Sequence, residues 1–248
     1  AAVEQEFIRL LCEQGYEYLP IHTEKDLIAN LRKKLEELNN YQFSDTEWDD
    51  FFKNAVANPN EHIVEKTRKI QEDNVQVLTR DDGSSKNITL IDKKNIHNNR
   101  LQVINQYKVN AATGSREDSL GCVIGTENGA KHDNRYDVTV LVNGLPLVHI
   151  ELKRRGVAIR EAFNQINRYQ RDSFWAGCGL YEYIQIFVIS NGTNTKYYSN
   201  STRRNAEKEH EKRGASKTKT SNSFEFTCFW ADANNSVIPD LIDFTKTF

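Results

Sequence analysis

The sequence predicts an α/β fold, in which a mixed central sheet is flanked by helices and preceded by a helical N-terminal region. Apolar residues recur at helical spacing through the first 75 residues, and strand-like patterns begin after Asn74. Further along, a hairpin is followed by an amphipathic helix and then by a nearly continuous apolar run, which is typical of a strand covered on both faces. The hairpin supplies an antiparallel strand pair and the strand–helix–strand unit a parallel one, so the sheet is expected to be mixed.

Four helices are predicted in the N-terminal region. Thr23 with Asp26, and Ser44 with Glu47, have the spacing of a capping interaction at a helix start. Apolar residues follow each pair at intervals of three and four. The predicted helices are residues 4–14, the segment after Thr23 that contains Leu27 to Leu38, the segment from Ser44 to about Asn58, and residues 61–71.

Strands and one further helix are predicted in the rest of the chain. The helix covers residues 157–169, with Ile159, Phe163 and Ile166 as its apolar stripe. We expect long polar loops at residues 110–133 and 203–221, the second rich in Lys and Arg and mobile. The predicted strands are residues 88–92, 101–109, the hairpin 134–153, residues 183–190 and residues 224–229.

These patterns divide the chain into three parts. Residues 1–75 form the helical N-terminal part, residues 76–235 the sheet-containing core, and residues 236–248 a terminal helix or linker. A length of 248 residues suits one domain. The net charge of −2 means that any contact with nucleic acid must use a local basic patch. No apolar run is long enough for a membrane span, so we expect no membrane partner and a cytoplasmic location.

Two carboxylates and an ammonium group lie near the open end of the predicted hairpin. Asp137 is in its first strand, Glu151 and Lys153 are in its second, and an Asn143-Gly144 dipeptide marks the turn. Charges are costly in such an apolar segment unless they are paired or bind a metal. Two carboxylates can hold Mg²⁺, and a nearby ammonium can stabilise a phosphate under attack. Asp…Glu-x-Lys alone is short and common, and by itself it favours an ordinary exposed strand face. The apolar context shifts the interpretation toward nuclease chemistry.

The hairpin register decides whether the three groups can act together. Glu151 and Lys153 are two residues apart and face the same way. A two-residue Asn143-Gly144 turn in a regular hairpin would pair Asp137 with Ile150, and Asp137 would then face away from Glu151. A catalytic site therefore requires a longer or bulged connection, which pairs Asp137 with Glu151.

Other polar residues near this position have more than one interpretation. Gln165 and Tyr169 are four apart on the predicted helix, and are a surface pair, a support for the carboxylates or a contact to the DNA backbone. His149 alternates with Glu151, and is either part of the site or, as the spacing favours, a partly exposed strand histidine. The arginines that follow Lys153 are a solvated helix face, a set of DNA phosphate contacts, or both: Arg154, Arg155, Arg160 and Arg168.

Several segments together resemble the N-terminal nuclease domain of the restriction (R) subunit of type I restriction-modification enzymes. The similarity covers nearly the whole chain and is densest from Ile88 to Thr193. The segments are Leu90-Ile-Asp-Lys-Lys-Asn, Asn105-Gln-Tyr, Arg135-Tyr-Asp-Val, Leu141-Val-Asn-Gly-Leu-Pro-Leu-Val, Ile150-Glu-Leu-Lys, Val157-Ala-Ile-Arg-Glu-Ala-Phe-Asn-Gln-Ile and Ile189-Ser-Asn-Gly-Thr.

The resemblance implies a PD-(D/E)xK restriction-endonuclease-like fold and a type I site-specific deoxyribonuclease that uses Mg²⁺. It implies that Asp137, Glu151 and Lys153 are catalytic, with Asp137, Glu151 and the Leu152 carbonyl as metal ligands. A Gln-x-x-x-Tyr motif falls on Gln165 and Tyr169, and an acidic residue of the first helix is matched by Glu6. Tyr136 stands where the family has a proline before the catalytic aspartate.

The same resemblance implies partners outside the chain. These are double-stranded DNA and the methyltransferase (M) and specificity (S) subunits of the type I complex. ATP is used only in motor domains that lie outside this chain, which we expect to be an N-terminal fragment. Two other functions remain open: a non-catalytic nuclease-like docking module for DNA and partner subunits, and a stand-alone junction resolvase or repair nuclease.

Overall fold

The computed structural model describes residues 2–109, 133–200 and 224–247, together with the backbone of two short strands, Arg116–Glu117 and Val123–Ile124. The predicted loop 110–133 falls almost entirely outside the described residues, and the predicted mobile segment 203–221 does so completely. No helix among the described residues is long and apolar enough to cross a membrane.

The N-terminal region is helical, and both predicted capping interactions are present. The Thr23 side chain accepts a hydrogen bond from the Asp26 backbone N–H, and Ser44 and Glu47 form a reciprocal capping box. The helices are α1 (Ala2–Glu13), α2 (Glu24–Asn39), α3 (Asp45–Phe51), which continues into a π-helical turn (Phe52–Val56), and α4 (Ile63–Gln71).

A mixed six-stranded sheet forms the centre of the fold, as predicted. Its strands are β1 (Glu17–Tyr18), β4 (Leu101–Val109), β7 (Asn134–Val142), β8 (Leu145–Leu152), β9 (Ile186–Ser190) and β10 (Thr195–Ser199). They lie side by side in this order, with parallel pairs β1–β4 and β8–β9 and antiparallel pairs elsewhere. The parallel β8–β9 connection contains helix α5 (Ile159–Asp172) and a 3₁₀ turn (Leu180–Tyr183).

The described residues also form three two-stranded units and one further helix. The units are β2 (Val75–Thr79) with β3 (Ser85–Thr89), β5 (Arg116–Glu117) with β6 (Val123–Ile124), and β11 (Trp230–Ala231) with β12 (Val237–Ile238). Helix α6 (Leu241–Thr247) lies within the segment 236–248 and packs on α1.

Two apolar clusters hold the helices to the sheet. The larger one contains the buried residues of α2, α3 and α5 together with Tyr136 of β7. The smaller one joins Phe7 and Leu11 of α1 to Leu241 of α6 and to Val138 of β7. Removing these side chains from water supplies the main driving force for the fold.

Three strand predictions differ from the structure. The predicted strand 88–92 begins earlier, at Ser85, and pairs with β2 outside the central sheet. The predicted strand 183–190 begins only at Ile186. The predicted strand 224–229 is wrong: Thr227 bonds back to the Phe224 carbonyl through its backbone N–H and its hydroxyl, at 3.2 and 2.8 Å. This local turn competes with strand pairing, and only a bridge between Cys228 and Tyr197 remains.

Candidate active site on strands β7 and β8

A β-bulge sets the register of the β7–β8 hairpin. The turn is a tight one, since Val142 pairs with Leu145 and both Asn143 and Gly144 have positive φ. The register then shifts by one residue beside Leu147, so that Val138 pairs with Ile150. Asp137 is consequently level with Glu151, which is the alignment that a catalytic site requires. The bulge expected for such a site is present, in the strand and not at the turn.

The alternation of side chains along β7 breaks at Asp137. Tyr136 lies in the larger apolar cluster and Val138 in the smaller one, although residues two apart in a regular strand share a face. On the neighbouring strand, Gln106 adopts a left-handed backbone conformation with φ of 54°. It lies between the pairs Asn105–Val138 and Tyr107–Tyr136, directly beside Asp137. The irregular backbone turns the Asp137 carboxylate toward the end of β8.

The Asp137 carboxylate is held in a partly buried position. Its Oδ2 accepts a hydrogen bond of 2.9 Å from the backbone N–H of Leu152. Burial raises the pKa of Asp137 to about 7, and the nearby Glu151 carboxylate adds to the rise. The Leu152 N–H and the Lys153 ammonium oppose it. A second positive charge beside Asp137 would stabilise its ionised form.

Glu151 is completely buried, and its two carboxylate oxygens have different surroundings. Oε1 accepts a hydrogen bond of 2.8 Å from the Lys153 ammonium. Oε2 makes no hydrogen bond and lies 3.7 Å from Nε2 of His149. His149 is also completely buried, so the prediction of a partly exposed histidine is wrong. Tyr136, Tyr169 and Phe174 close over its ring.

Gln165 and Tyr169 continue the polar chain from Lys153 into helix α5. The Lys153 ammonium donates to Gln165 Oε1 at 2.5 Å, and the Gln165 amide donates to the Tyr169 hydroxyl. That hydroxyl donates to the backbone carbonyl of Arg135 at 2.9 Å, which ties α5 back to β7 beside Asp137. Burial raises the pKa of Tyr169 to about 12, so the hydroxyl keeps its proton. The alternative of two surface residues does not describe Tyr169, which is 1% exposed.

On helix α1, Glu4 and not Glu6 is directed toward the site. Glu6 is bonded to Arg9, which lowers its pKa, and it lies on the side of α1 that faces α6. Glu4 accepts hydrogen bonds of 2.7 Å from the amides of Asn105 and Gln106, and it is among the charges that raise the pKa of Asp137. Glu4, Phe7 and Leu11 follow the helical period, and this signal in the sequence could have identified Glu4.

The four arginines predicted to contact DNA are all exposed, and none forms an ion pair with a described residue. Arg160 lies over the ring of Phe224, with its guanidinium carbon 4.3 Å from the ring centre. The guanidinium carbon of Arg168 is 5.5 Å from the ring centre of Tyr169. Arg155 lies against Gly192, beside the groove between α1 and α6, and Arg154 follows Lys153 directly. Unpaired arginines next to Lys153 suit contacts to phosphate groups.

The donor atoms of the site fit a magnesium ion. One buried oxygen of Glu151 has no hydrogen bond, and the two carboxylates repel each other in a way that raises the pKa of Asp137. Carboxylate oxygens are the ligands that Mg²⁺ prefers, usually one or two of them together with water. No group of three or more His, Cys, Asp and Glu side chains in the described part of the chain is arranged to hold a metal ion.

The mixed sheet and the aligned acidic groups define an α/β chain with a candidate polar catalytic site at the ends of two adjacent strands. The chain belongs to the family described as the N terminus of type I restriction enzyme R proteins, whose model matches residues 1–206. The resemblance seen in the sequence is thereby confirmed.

The relatives are endonuclease subunits of type I restriction enzymes. The chain is 46% identical over 247 residues to the EcoprrI subunit of Escherichia coli, which covers 99% of this chain and 68% of that subunit. It is 34% identical over 252 residues to the SsaAORF53P subunit of Staphylococcus saprophyticus, which covers 100% of this chain and 22% of that subunit. The match to the HindI subunit of Haemophilus influenzae is 27% over 212 residues, 77% of this chain and 18% of that subunit.

Proposed function

We propose that this chain is the Mg²⁺-dependent endonuclease domain of a type I restriction enzyme R subunit, with a PD-(D/E)xK fold. The observation that carries the proposal is the bulged register of β7 and β8. It places Asp137 level with Glu151, and the Lys153 ammonium bonds to Glu151 from the same strand end. A bulge that aligns two repelling carboxylates is costly for the fold, and such costs are characteristic of functional sites.

Asp137, Glu151 and the backbone carbonyl of Leu152 would hold the metal. When bound there, Mg²⁺ supplies a Lewis acid for the scissile phosphate and lowers the pKa of the attacking water. Lys153 stabilises the negative charge that develops on the phosphate, and Gln165 holds its ammonium in position. Arg154, Arg155, Arg160 and Arg168 bind the DNA backbone on either side. The products are a 5′ phosphate and a 3′ hydroxyl.

Membership of the family supports a proposed assembly around the domain. The partners of this cytoplasmic chain are double-stranded DNA and the M and S subunits of the type I complex. ATP is consumed by motor domains outside the chain, and DNA is cleaved after translocation. Because the chain spans about a fifth of the staphylococcal relative, the rest of such a subunit has ample length for a motor.

Two other functions make different predictions. A non-catalytic docking module would keep its DNA and subunit contacts but would have no use for the exact charges at Asp137 and Glu151. A stand-alone junction resolvase would cleave branched DNA without a motor or ATP. The family match over residues 1–206 favours the R-subunit function over the resolvase.

The decisive test is Glu151→Gln in the full R subunit, assembled with its partner subunits. Glutamine keeps the size of the side chain and removes its charge. We expect cleavage to fall to background while ATP-driven translocation continues, because motor and metal site lie in separate parts of the subunit. The matched control is Asp50→Asn, which neutralises an exposed carboxylate on α3. Parental cleavage by Glu151→Gln would contradict the proposal and support the docking module.

A further inference from the structure

Two buried polar atoms beside the candidate site face each other without a hydrogen bond. Nε2 of His149 and Oε2 of Glu151 are 3.7 Å apart, and both side chains are 0% exposed. An unpaired buried polar group destabilises the fold, and more so when it is charged. Closing the gap by less than 1 Å would pair both atoms at once, because a charge-assisted N–H···O contact has a length of about 2.7–2.9 Å.

The aromatic rings around His149 restrict how its ring can turn. Tyr136, Tyr169 and Phe174 lie with ring centres 5.5, 6.0 and 5.6 Å from that of the imidazole, each at a steep angle to it. Nδ1 lies on the side of Thr139, and Nε2 on the side of Glu151. Nε2 has no hydrogen-bond partner among the described residues.

A chain of hydroxyl groups approaches the other ring nitrogen of His149, Nδ1. Thr139 Oγ1 lies 3.5 Å from His149 Nδ1 and 3.3 Å from the Tyr181 hydroxyl. If Nδ1 carried the proton, the lone pair of Nε2 would face a buried carboxylate, which is repulsive. If Nε2 carries the proton instead, every contact is favourable: Tyr181 donates to Thr139, Thr139 donates to Nδ1, and Nε2–H donates to Glu151. Hydrogen bonds at one ring nitrogen commonly set the role of the other in this way.

We propose that His149 is a positioning residue, which donates from Nε2 to Glu151 Oε2 and is held in that tautomer by Thr139 and Tyr181. The consequence rests on the proposed nuclease function. With Lys153 on Oε1 and His149 on Oε2, the Glu151 carboxylate is fixed in one orientation, and each of its oxygens keeps a further lone pair for a metal.

The tautomer can be measured directly and without metal. The full chain contains six histidines, so the ¹⁵N signals of the His149 ring can be assigned by their loss in His149→Gln. We expect a protonated Nε2 and an unprotonated Nδ1 in the parent. Thr139→Val removes the donor to Nδ1, and both tautomers should then appear. The control is Thr245→Val, which removes another buried hydroxyl and should leave the His149 signals unchanged. A protonated Nδ1 in the parent would overturn the proposal.

Two substitutions at His149 separate positioning from packing. The amide nitrogen of Gln can reach the place of Nε2, whereas that of Asn reaches only the place of Nδ1. Mn²⁺ binding to the full chain, followed by electron paramagnetic resonance, is the probe. We expect His149→Gln to keep the parental affinity and His149→Asn to lose about 10- to 100-fold. Equal losses in the two variants would mean that His149 acts only by filling space, and would overturn the proposal.

Failure of this inference can be told apart from failure of the proposed function. If Glu151→Gln abolishes cleavage while the parent shows a protonated Nδ1, the nuclease function stands and the role of His149 falls. If Nε2 is protonated and Thr139→Val disturbs it, the hydrogen-bond chain stands whatever the cleavage assay shows.

Discussion

At the turn end of the β7–β8 hairpin, a buried polar side chain has every partner it can use. Asn143 is completely buried; its Oδ1 accepts from the Arg100 N–H at 2.8 Å, and its amide donates to Leu90 O and Asn99 Oδ1 at 3.0 and 2.8 Å. Its own backbone N–H donates to the Arg100 carbonyl at 2.9 Å. Buried polar groups that are satisfied in this way make a fold specific.

At the open end of the same hairpin, buried polar groups lack partners. Glu151 Oε2 has no hydrogen bond, and the ionised form of Asp137 is disfavoured by burial and by Glu151. The two ends lie on the same pair of strands, and both carry buried polar side chains. What distinguishes them is the unused bonding capacity at the open end, which suits a ligand, whereas the turn end has none left to offer.

The largest effect is expected from removing the Lys153 ammonium, which bonds to Glu151 at the open end. Lys153→Ala should reduce cleavage by the full R subunit by about 10²–10³-fold, the usual effect of losing one donor to a developing charge. Thermal stability should also fall, because the buried Glu151 carboxylate loses its ammonium partner. Lys53→Ala, at an exposed lysine beyond α3, is the control and should cleave like the parent. A loss of less than tenfold would mean that Lys153 only neutralises Glu151.

A second test asks whether Asp137 destabilises the metal-free fold. Its pKa in the folded chain, about 7, is above the ordinary value of 3.8. Its contribution to stability is therefore fully present below about pH 4 and is lost as the pH rises through 7. Asp137→Asn lacks this loss, and should exceed the parent in free energy of unfolding by up to about 4 kcal/mol at pH 8, with the difference shrinking toward pH 4.

Urea denaturation at several pH values, without divalent metal, measures this difference. Asp50→Asn is the matched control, because it removes an exposed carboxylate and should follow the parent at every pH. If Asp137→Asn is less stable than the parent at pH 8, the carboxylate is a structural partner of Leu152 and the contrast between the two ends is lost.

At the turn end, a substitution should change the stability of the fold through packing and not through charge. Gly144 has a φ of +86°, and a Cβ there would lie 2.6 Å from the backbone Cα of Leu31 in α2. Gly83 has a φ of +80° with nothing within 4 Å of the corresponding Cβ. Both alanine variants bear the cost of the left-handed backbone, so Gly144→Ala should be less stable than Gly83→Ala by about 1–3 kcal/mol, the usual cost of overpacking. Equal urea midpoints would mean that α2 yields easily and that the turn is not clamped.

In the hairpin, some features could be predicted from the sequence and one could not. The Asn143-Gly144 turn was predictable, because both positions need positive φ and these residues adopt it readily. The need for a bulge followed from the alternation rule, but its position did not. It lies beside Leu147, directly after Pro146, which has no N–H to give to the sheet. The proline was the available signal for the position.

What could not be predicted depends on contacts between distant segments. His149 is buried by aromatic rings on β7, on α5 and just after α5. No local sequence pattern predicts that these rings pack together. The strand predicted at residues 224–229 failed for a similar reason, since Phe224 packs on Phe163 of α5 and the local turn at Thr227 replaces the strand. Predictions from spacing succeeded where the partners lay within a few residues of each other, as in the caps of α2 and α3.

The smallest effect is expected at the far end of the polar chain from Lys153. Tyr169→Phe keeps the ring that packs on Tyr136, with ring centres 4.7 Å apart, and removes only the hydroxyl. The Arg135 carbonyl and the Gln165 amide then lose a partner, which should lower the free energy of unfolding by about 0.5–1.5 kcal/mol. Because Gln165 still accepts from Lys153, cleavage should weaken without a change in Mg²⁺ dependence, and less than it does in Gln165→Ala, where that contact is lost. Cleavage rates measured against Mg²⁺ concentration for both variants check this order. A Tyr169→Phe variant that needs more Mg²⁺ than the parent would instead place the hydroxyl at the metal. Parental cleavage rates at saturating Mg²⁺ in both variants would mean that Gln165 and Tyr169 only stabilise the packing of α5.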